Sequence, residues 1–350
     1  MFRKITAAFT ALLLLFSLCA CARQTPFYEK IDFAMGSVID LRIYNSENAT
    51  QTAQNVLDSI RATDALLSAN LESSDVYKIN QSKTGTAVSK DTLDLLANCL
   101  SVCNMTGKVL DITVGAVSEL WAFDTQTPQL PDANALQAAL QTVDMEGLLL
   151  DREKMTVAKN EGQKIDLGAF GKGIACMRAL EEMRGELAPA VLSVGGTILL
   201  YGNHPDADHW TVGIRDPKGV PDDYCATLAL QVKESDDTLV VSTSGIYEKT
   251  FTQNGKTYHH ILDINTGMPI ENDLLSVSVV SQDGLVSDAL STVLLIHGLS
   301  EQSLNILENY RAEAVFICKD GRVLVSDGLQ DKITLTADTY TLGDLEDTIQ

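Results

Sequence analysis

The chain has 350 residues, of which 45% are hydrophobic and 21% are charged, and its formal net charge is -21. The hydrophobic content is enough for a packed core, which excludes a wholly disordered chain, and the length suits one large or two moderate domains. The strong negative charge excludes nucleic acid as a partner, because binding to phosphates needs a basic surface.

The N-terminal segment is predicted to be a leader rather than part of the fold. Two basic residues precede an apolar run over residues 5–18, which is too short for a permanent membrane-spanning helix. The run ends in Leu18-Cys19-Ala20-Cys21, which resembles a bacterial lipobox. We therefore expect a lipoprotein signal peptide at residues 1–20, a lipidated Cys21, and a lipid-anchored location on the extracytoplasmic face of the bacterial cell membrane. An ordinary signal peptide and an uncleaved anchor are the alternatives.

Hydrophobic periodicity predicts helices and strands in mixed order. The pattern predicts extended chain over 27–44 with a break at Gly36-Ser37, helices over 50–67, 91–105, 114–121 and 134–140, and a hairpin over 148–158. A helix over 172–185 with Gly185 as its C-cap comes next, and strands follow over 190–193, 198–201, 210–215, 227–232, 240–242, 257–261 and 275–280. Helices over 286–296 and 300–309 precede a closing hairpin of 314–317 with 323–325. The order lacks strict alternation of strand and helix, which predicts an α+β fold rather than a doubly wound parallel sheet.

The cysteines show no pattern of disulfides or of a zinc site. The chain has 7 cysteines, and those outside the leader are Cys99, Cys103, Cys176, Cys225 and Cys318. An odd number cannot pair fully, and no pair has the spacing of a zinc or redox motif. We expect buried free thiols.

A glycine-rich turn precedes the helix predicted over 172–185. The segment Gly168 to Gly173 matches neither the dinucleotide fingerprint nor a Walker A loop, but it places Asp166 and Lys172 around a tight turn that opens a helix. A helix N-terminus with a lysine beside it suits a phosphate group. A structural turn with a surface lysine is the alternative on spacing alone.

Asp288 and Thr292 are four residues apart on a predicted helix, so their oxygens project from one face. A carboxylate and a hydroxyl, together with a backbone carbonyl, suit a hard cation such as Mg²⁺. The alternative is a capping aspartate beside a buried threonine.

His259 and His260 are adjacent near the end of a predicted strand, so their side chains point to opposite faces. They cannot serve one site as a pair, but one of them can act as a general base near neutral pH. A structural histidine is the alternative.

A series of short motifs, taken in order, resembles the ApbE-type FAD:protein FMN transferases. The resemblance extends from about Phe27 to Gly328. The motifs occupy residues 33–37, 110–115, 120–123, 165–173, 193–196, 210–217, 242–245, 260–267 and 287–292.

The resemblance implies one mixed-sheet, T-fold-like catalytic unit of two intimately associated lobes over residues 27–335, with residues 336–350 as a C-terminal tail. It also implies a reaction in which Mg²⁺ assists transfer of the FMN moiety of FAD to a Thr or Ser hydroxyl of a target protein. The products are a phosphoester-linked flavoprotein and AMP, and the family suggests a subunit of a membrane redox complex as the acceptor. The sequence does not distinguish Mg²⁺ from Mn²⁺.

The resemblance further assigns roles to individual residues. Contacts with FAD are implied for Met35, Asn70, Val109, Leu110, Asp111, Asp166, Lys172 and Leu262. The metal is expected on Asp288, Thr292 and the Ala169 carbonyl. We expect His260 to be the general base, oriented by Asp263.

Asn70 departs from the family pattern, because many members carry an aromatic residue there. An asparagine stacks poorly on a ring of FAD and leaves a wetter phosphate site. The alternative activity is therefore a Mg²⁺-dependent FAD pyrophosphatase that yields FMN and AMP. A lipoprotein that binds FAD without catalysis is a further alternative.

Overall fold

The computed structural model describes residues 25–186, 188–220, 223–234 and 237–349. The expected signal peptide and Cys21 lie outside these residues. The helices of the described residues are α1 (Ala49–Leu67), α2 (Asp75–Gln81), α3 (Lys90–Met105), α4 (Gly115–Trp121), α5 (Ala133–Leu140), α6 (Gly171–Arg184), α7 (Gly284–His297), α8 (Glu301–Tyr310) and α9 (Leu345–Ile349).

The strands of the first half of the chain are β1 (Phe27–Ala34), β2 (Ser37–Tyr44), β3 (Thr86–Ala87), β4 (Leu149–Asp151), β5 (Thr156–Ala158), β6 (Ala190–Val194) and β7 (Thr197–Tyr201). The second half contributes β8 (Trp210–Arg215), β9 (Tyr224–Leu230), β10 (Thr238–Gly245), β11 (Thr250–Gln253), β12 (Lys256–His259) and β13 (Leu274–Ser281). The last four strands are β14 (Glu313–Cys318), β15 (Arg322–Val325), β16 (Ile333–Leu335) and β17 (Thr341–Asp344).

A nine-stranded mixed sheet forms the centre of the molecule, with strand order β1-β2-β6-β7-β10-β13-β14-β15-β17. Its neighbouring strands pair antiparallel except β15 and β17, which run parallel. The first hairpin has a two-residue turn in which Met35 and Gly36 both have positive φ, at 53° and 67°. Turns of this hand match the twist of the flanking strands.

The two faces of the central sheet are covered differently. On one face, Ile39 and Leu41 of β2 pack with residues of α1 and α6 in one buried cluster. On the other face, the small antiparallel sheet of order β16-β9-β8 packs Val212 and Leu228 against Leu200 of β7 and neighbouring strands. The arrangement confirms the predicted α+β class.

The elements predicted from periodicity are present, with ends that differ by a few residues. The pattern missed α2, which is only seven residues long and is capped by the Ser74 hydroxyl, an acceptor from the Tyr77 N–H. It also missed the hairpin of β11 with β12. The segment after residue 335 was predicted as a tail, yet it carries α9 and also β17, which closes one edge of the central sheet.

The five cysteines of the described residues are free and buried, as predicted. Burial raises the pKa of each thiol, because a thiolate is poorly solvated among apolar side chains. These cysteines are therefore poor nucleophiles. Among the described helices, none is both long enough and apolar enough to cross a membrane.

Candidate functional site

Two hairpin turns meet the start of α6 at one end of the central sheet. The Gly195 N–H donates to the Val38 carbonyl at 3.1 Å, which joins the β6–β7 turn to β2. Gly195 has a φ of +57°, and a Cβ placed on it would lie 3.5 Å from the Cδ of Lys172. A Cβ on Gly171 would lie 3.4 Å from the terminal methyl of Met35. The structure thus brings Met35 and Lys172, both predicted to contact FAD, to the N-terminus of α6.

Helices α6 and α7 cross at two glycines. A Cβ on Gly173 would lie 2.5 Å from the carbonyl carbon of Gly284 and 2.8 Å from the Cβ of Asp288. A Cβ on Gly284 would lie 2.6 Å from the Gly173 carbonyl oxygen. Neither position can hold a larger residue without moving a helix. The crossing therefore places the second turn of α7 against the first turn of α6.

Asp288 directs its carboxylate at the first turn of α6. Its Oδ2 accepts from the Gly173 N–H at 2.9 Å, and its Oδ1 accepts from the Thr197 hydroxyl at 3.4 Å. The Lys172 ammonium lies 3.7 Å from the same Oδ1. Only 4% of the Asp288 surface is exposed. A buried carboxylate is favoured here because the helix N-terminus carries partial positive charge and free N–H donors.

A chain of hydroxyls from β10 to α7 fixes the direction of the Thr292 proton. Ser291 donates to the Asp288 carbonyl at 2.8 Å, since a carbonyl oxygen only accepts. The Ser244 and Ser291 oxygens are 2.7 Å apart, so Ser244 must donate to Ser291. The Ser244 and Thr292 oxygens are 2.9 Å apart, and the proton left for this bond is that of Thr292. The Thr292 oxygen therefore keeps its remaining lone pairs for another partner.

Asp288, Thr292 and the Ala169 carbonyl offer the ligand types that a hard cation takes, and the metal site stays a prediction. Thr292 lies one helical turn beyond Asp288 on α7, as its spacing predicted. In a regular helix the Gly173 N–H would donate to the carbonyl four residues earlier, which is that of Ala169. Here it donates to Asp288 instead, so the Ala169 carbonyl does not accept from it. A carboxylate, a hydroxyl and a backbone carbonyl are the ligand types that Mg²⁺ accepts.

Two aspartates predicted to contact FAD lie on neighbouring segments. The Asp166 N–H donates to the Ile112 carbonyl at 2.8 Å, which holds residues 110–115 beside residues 164–168. One oxygen of Asp111 accepts from the N–H and the hydroxyl of Thr113, at 2.7 and 2.6 Å. One oxygen of Asp166 accepts from the Gly168 N–H at 2.8 Å. Each carboxylate thus stabilises the turn in which it lies, and its predicted contact with FAD stays a prediction.

Leu262 is held in place by an aromatic cluster. It forms an isolated bridge with Pro269 and packs beside Trp121 and Tyr258. The Trp121 indole N–H donates to the Gly267 carbonyl at 2.8 Å and so ties α4 to the turn after Leu262. Asp111 and Asn265 line a common cavity of about 250 Å³. The predicted FAD segments around 111 and 262 are therefore neighbours.

His260 and His259 face different surroundings, as predicted for adjacent residues of a strand. His259 Nε2 lies 3.1 Å from the Ile270 carbonyl, whereas the His260 ring stands edge-on to Phe123 with centroids 6.5 Å apart. Burial and then the ammonium groups of Lys249 and Lys172 lower the pKa of His260 to about 4.

The expected orientation of His260 by Asp263 differs from what the structure shows. Asp263 accepts from the Asn265 N–H at 2.9 Å and from the Thr266 hydroxyl at 3.1 Å, within its own turn. Among the described residues, no hydrogen bond joins Asp263 to His260. A carboxylate three residues after the histidine is used to close the turn before Gly267, because short Asp side chains bond to nearby backbone N–H groups.

Comparisons with known proteins show the family of this chain. The model of the ApbE family matches residues 35–316. The chain belongs to the ApbE family. Among curated relatives, the FAD:protein FMN transferase of Klebsiella pneumoniae (strain 342) is 28% identical over 83% of this chain and 89% of that protein. The FAD:protein FMN transferase of Treponema pallidum (strain Nichols) is 28% identical over 93% of both chains.

Solved ApbE structures have the same fold. The ApbE protein of Thermotoga maritima superposes with a TM-score of 0.78 at 28% identity, over 87% of this chain and 98% of that chain. The flavinyl transferase ApbE of Pseudomonas stutzeri in its apo form has a TM-score of 0.72 at 23% identity, over 85% of this chain and 93% of that chain. The second likeness concerns the fold alone.

Three further positions of this ApbE family member were predicted to contact FAD. Asn70 is exposed, three residues after Leu67, and Leu67 shares a buried cluster with Phe170 at the start of α6. Val109 and Leu110 are partly buried against the clusters that surround α7. These placements do not test the predicted contacts with FAD, which stay predictions.

Two features of the ApbE site were missed in the sequence. Gly284 was not identified, although its position at the start of α7 after the capping Asp283 was visible. Ser244 was noted only as part of a glycine-containing turn. Its role depends on a contact with residues 47 and 48 positions away, for which the local pattern holds no signal.

Proposed function

We propose that this protein is an FAD:protein FMN transferase, which moves the FMN moiety of FAD to a Thr or Ser hydroxyl of a target protein and releases AMP. Family membership supports the activity. The observation that carries the chemical assignment is the meeting of Asp288 and Lys172 at the N-terminus of α6. A pyrophosphate needs cationic and N–H donors, and a metal ion needs the carboxylate.

Each residue of the site has a part in this reaction. Asp288, Thr292 and the Ala169 carbonyl would hold Mg²⁺, which supplies Lewis acidity and offsets the charge on the phosphates. Lys172 and the first N–H groups of α6 would bind the phosphate oxygens that the metal leaves free. Met35, at the tip of the first hairpin, would cover the nucleotide from the side of Gly171.

The acceptor hydroxyl must lose its proton as it attacks phosphorus, and His260 is the proposed base. Its pKa of about 4 in the free protein keeps the imidazole neutral near pH 7. Such a weak base is not matched to this pH, since a catalytic pKa near the operating pH is the most effective. A bound pyrophosphate would raise this pKa, because its negative charge counters Lys172 and Lys249.

We expect His260→Asn to lower the rate of FMN transfer by about 10²–10⁴-fold while FAD binding is kept, as is usual for loss of a general base.

In the parent protein, kcat/KM should stay level through pH 6.5 and fall only as the pH approaches 4, because that parameter reports the free protein. The value of kcat, which reports the complex with FAD, should begin to fall at a higher pH than kcat/KM does, because bound pyrophosphate would raise the pKa of His260. The folded protein should also lose stability as pH falls from about 6.5 towards 4, since the unfolded histidine binds a proton first.

His259→Asn is the matched control. It removes the neighbouring imidazole, which has surroundings different from those of His260 and has no proposed part in the reaction. FAD binding is measured by titration and transfer by protein mass. Equal transfer rates for the two variants would remove His260 from the mechanism.

The hydroxyl chain gives a second prediction at the metal site. Ser244→Ala removes the acceptor for the Thr292 proton, so that proton can turn towards the metal position. We expect about 10–100-fold weaker Mg²⁺ activation, the usual cost of removing an outer partner of a metal ligand. Thr243→Ala is the control, because its hydroxyl pairs with Ser278 instead. A Mg²⁺ titration of FAD turnover that is the same for both variants would contradict the assigned hydroxyl direction.

We propose that the protein acts from a lipid anchor. The lipobox-like sequence at Cys21 supports lipidation on the extracytoplasmic face of the membrane. A membrane redox-complex subunit is then the expected acceptor, since both proteins would share one surface.

One assay tests the function and its alternatives. The protein is incubated with FAD, Mg²⁺ and a soluble flavin-acceptor domain, and protein mass and free AMP are followed. Added FMN mass with AMP is the expected result. AMP and FMN without added mass would mean the FAD pyrophosphatase, the alternative that the exposed Asn70 favours. Intact FAD would mean a binding protein without catalysis.

A further inference from the structure

A strip of exposed apolar side chains runs along the first hairpin. We name it the β1–β2 apolar strip, and it consists of Phe27, Ile31, Phe33 and Val38, which are 48%, 62%, 65% and 59% exposed. The three residues of β1 alternate along the strand and so lie on one face, and Val38 pairs directly with Phe33. Four of the ten exposed large hydrophobic residues in the described part of the chain belong to this strip. Such clustering marks an interaction surface.

The strip is exposed because no second layer of the described residues covers its part of the sheet. On the opposite face of β2, Ile39, Leu41 and Ile43 are buried under α1 and α6. The small sheet on the same side as the strip packs over β7, β10 and the strands beyond them. None of the four strip side chains belongs to a buried cluster of the described residues.

The charges on this face nearly cancel. Arg42 bonds to Glu29 at 2.7 Å and lies 3.4 Å from Asp40, and all three share the face of the strip. Two acids and one base leave one negative charge there, on a chain with a net charge of -21. This face therefore adds little repulsion towards a surface with polar headgroups.

The chain before β1 limits where this face can lie. Five residues separate Cys21 from Phe27. Whatever its conformation, such a connection spans at most about 22 Å. If Cys21 carries the proposed lipid, one end of the strip is held within that distance of the membrane.

We propose that the β1–β2 apolar strip rests on the lipid surface and sets the orientation of the domain. The proposal depends on the lipid anchor proposed above. Apolar side chains at such an interface enter the bilayer by about 5–10 Å, and an anchor combined with a second contact binds more firmly than either alone. The turn of the same hairpin carries Met35, beside Gly171 and Lys172. Contact through the strip thus holds the reaction site at the membrane surface, where a membrane-bound acceptor presents its hydroxyl.

The test uses the processed, lipidated protein on phosphatidylcholine vesicles. Ile31→Cys is labelled with an environment-sensitive fluorophore, and the five buried native thiols of the domain leave the new cysteine as the reactive one. Leu149→Cys is the matched control, because Leu149 is also 62% exposed and lies outside the strip. We expect a blue shift at position 31 on addition of vesicles and quenching by a nitroxide-labelled lipid, with neither effect at position 149.

Other outcomes would overturn the proposal. Equal quenching at the two positions, or failure of the protein to bind the vesicles, contradicts it. A shift at position 31 without vesicles that grows with protein concentration would mean that a second copy covers the strip. A shift caused by the soluble acceptor domain alone would mean a protein-docking face. Transfer of FMN to that soluble domain is measured on the same labelled proteins, so a failed strip and a failed transferase activity are told apart.

Discussion

Replacing Asp288 by asparagine should abolish most of the Mg²⁺-dependent turnover of FAD. The carboxylate accepts from the Gly173 N–H and lies 3.7 Å from the Lys172 ammonium. An amide can still accept from Gly173, so the variant removes charge and keeps the local structure. Loss of the anionic ligand removes several kcal/mol of stabilisation by the metal, which corresponds to about 10²–10⁴-fold in rate.

The matched control is Asp283→Asn on the same helix. Asp283 caps α7 by accepting from the N–H groups of Leu285 and Val286, and asparagine is an equally good N-cap. The control should keep its Mg²⁺ response, and EDTA should stop its turnover. FAD turnover is measured across a Mg²⁺ titration, with unfolding curves for each protein. If Asp288→Asn responds to Mg²⁺ as Asp283→Asn does, Asp288 is not a metal ligand.

Gly173→Ala should be among the most damaging single changes in the fold. The new methyl group would lie 2.5 Å from the Gly284 carbonyl carbon and 2.8 Å from the Asp288 Cβ. These are a backbone atom and a Cβ atom, and neither can move independently of its helix. The clash is therefore relieved only if the two helices separate. We expect the free energy of unfolding to fall by about 3 kcal/mol or more, the upper end of the usual cost of overpacking. The same shift would pull Asp288 away from the N-terminus of α6.

Gly185→Ala is the control for this change, because it places the same methyl group at the other end of α6. Gly185 has a φ of -65°, and no described residue lies within 4 Å of its added Cβ. The substitution should leave stability equal or raise it by about 0.4–1 kcal/mol, since alanine restricts the unfolded chain. Denaturant midpoints compare the two variants. A midpoint for Gly173→Ala that matches Gly185→Ala would mean that α6 and α7 do not touch at these glycines.

The local parts of the site were predictable from the sequence. Asp288 and Thr292 share a helix face because their spacing is close to one helical turn. The glycine-rich turn before Lys172 opens a helix, and the adjacent histidines face different surroundings, as alternation along a strand requires. Asp263 was predicted as a partner of His260, whereas in the structure it bonds within its own turn, and spacing does not distinguish these two uses of an aspartate.

The sequence by itself determined the family, the α+β class, and most of the helices and strands. Those properties depend on periodicity and on motifs of a few neighbouring residues. The tertiary structure alone decided that Gly173 meets Gly284, that Ser244 orients the Thr292 hydroxyl, and that β17 joins the central sheet. Such contacts join segments far apart in the chain, and each depends on how closely two backbones approach. That distance is set by the packing of the whole domain, for which no short stretch of sequence carries the information.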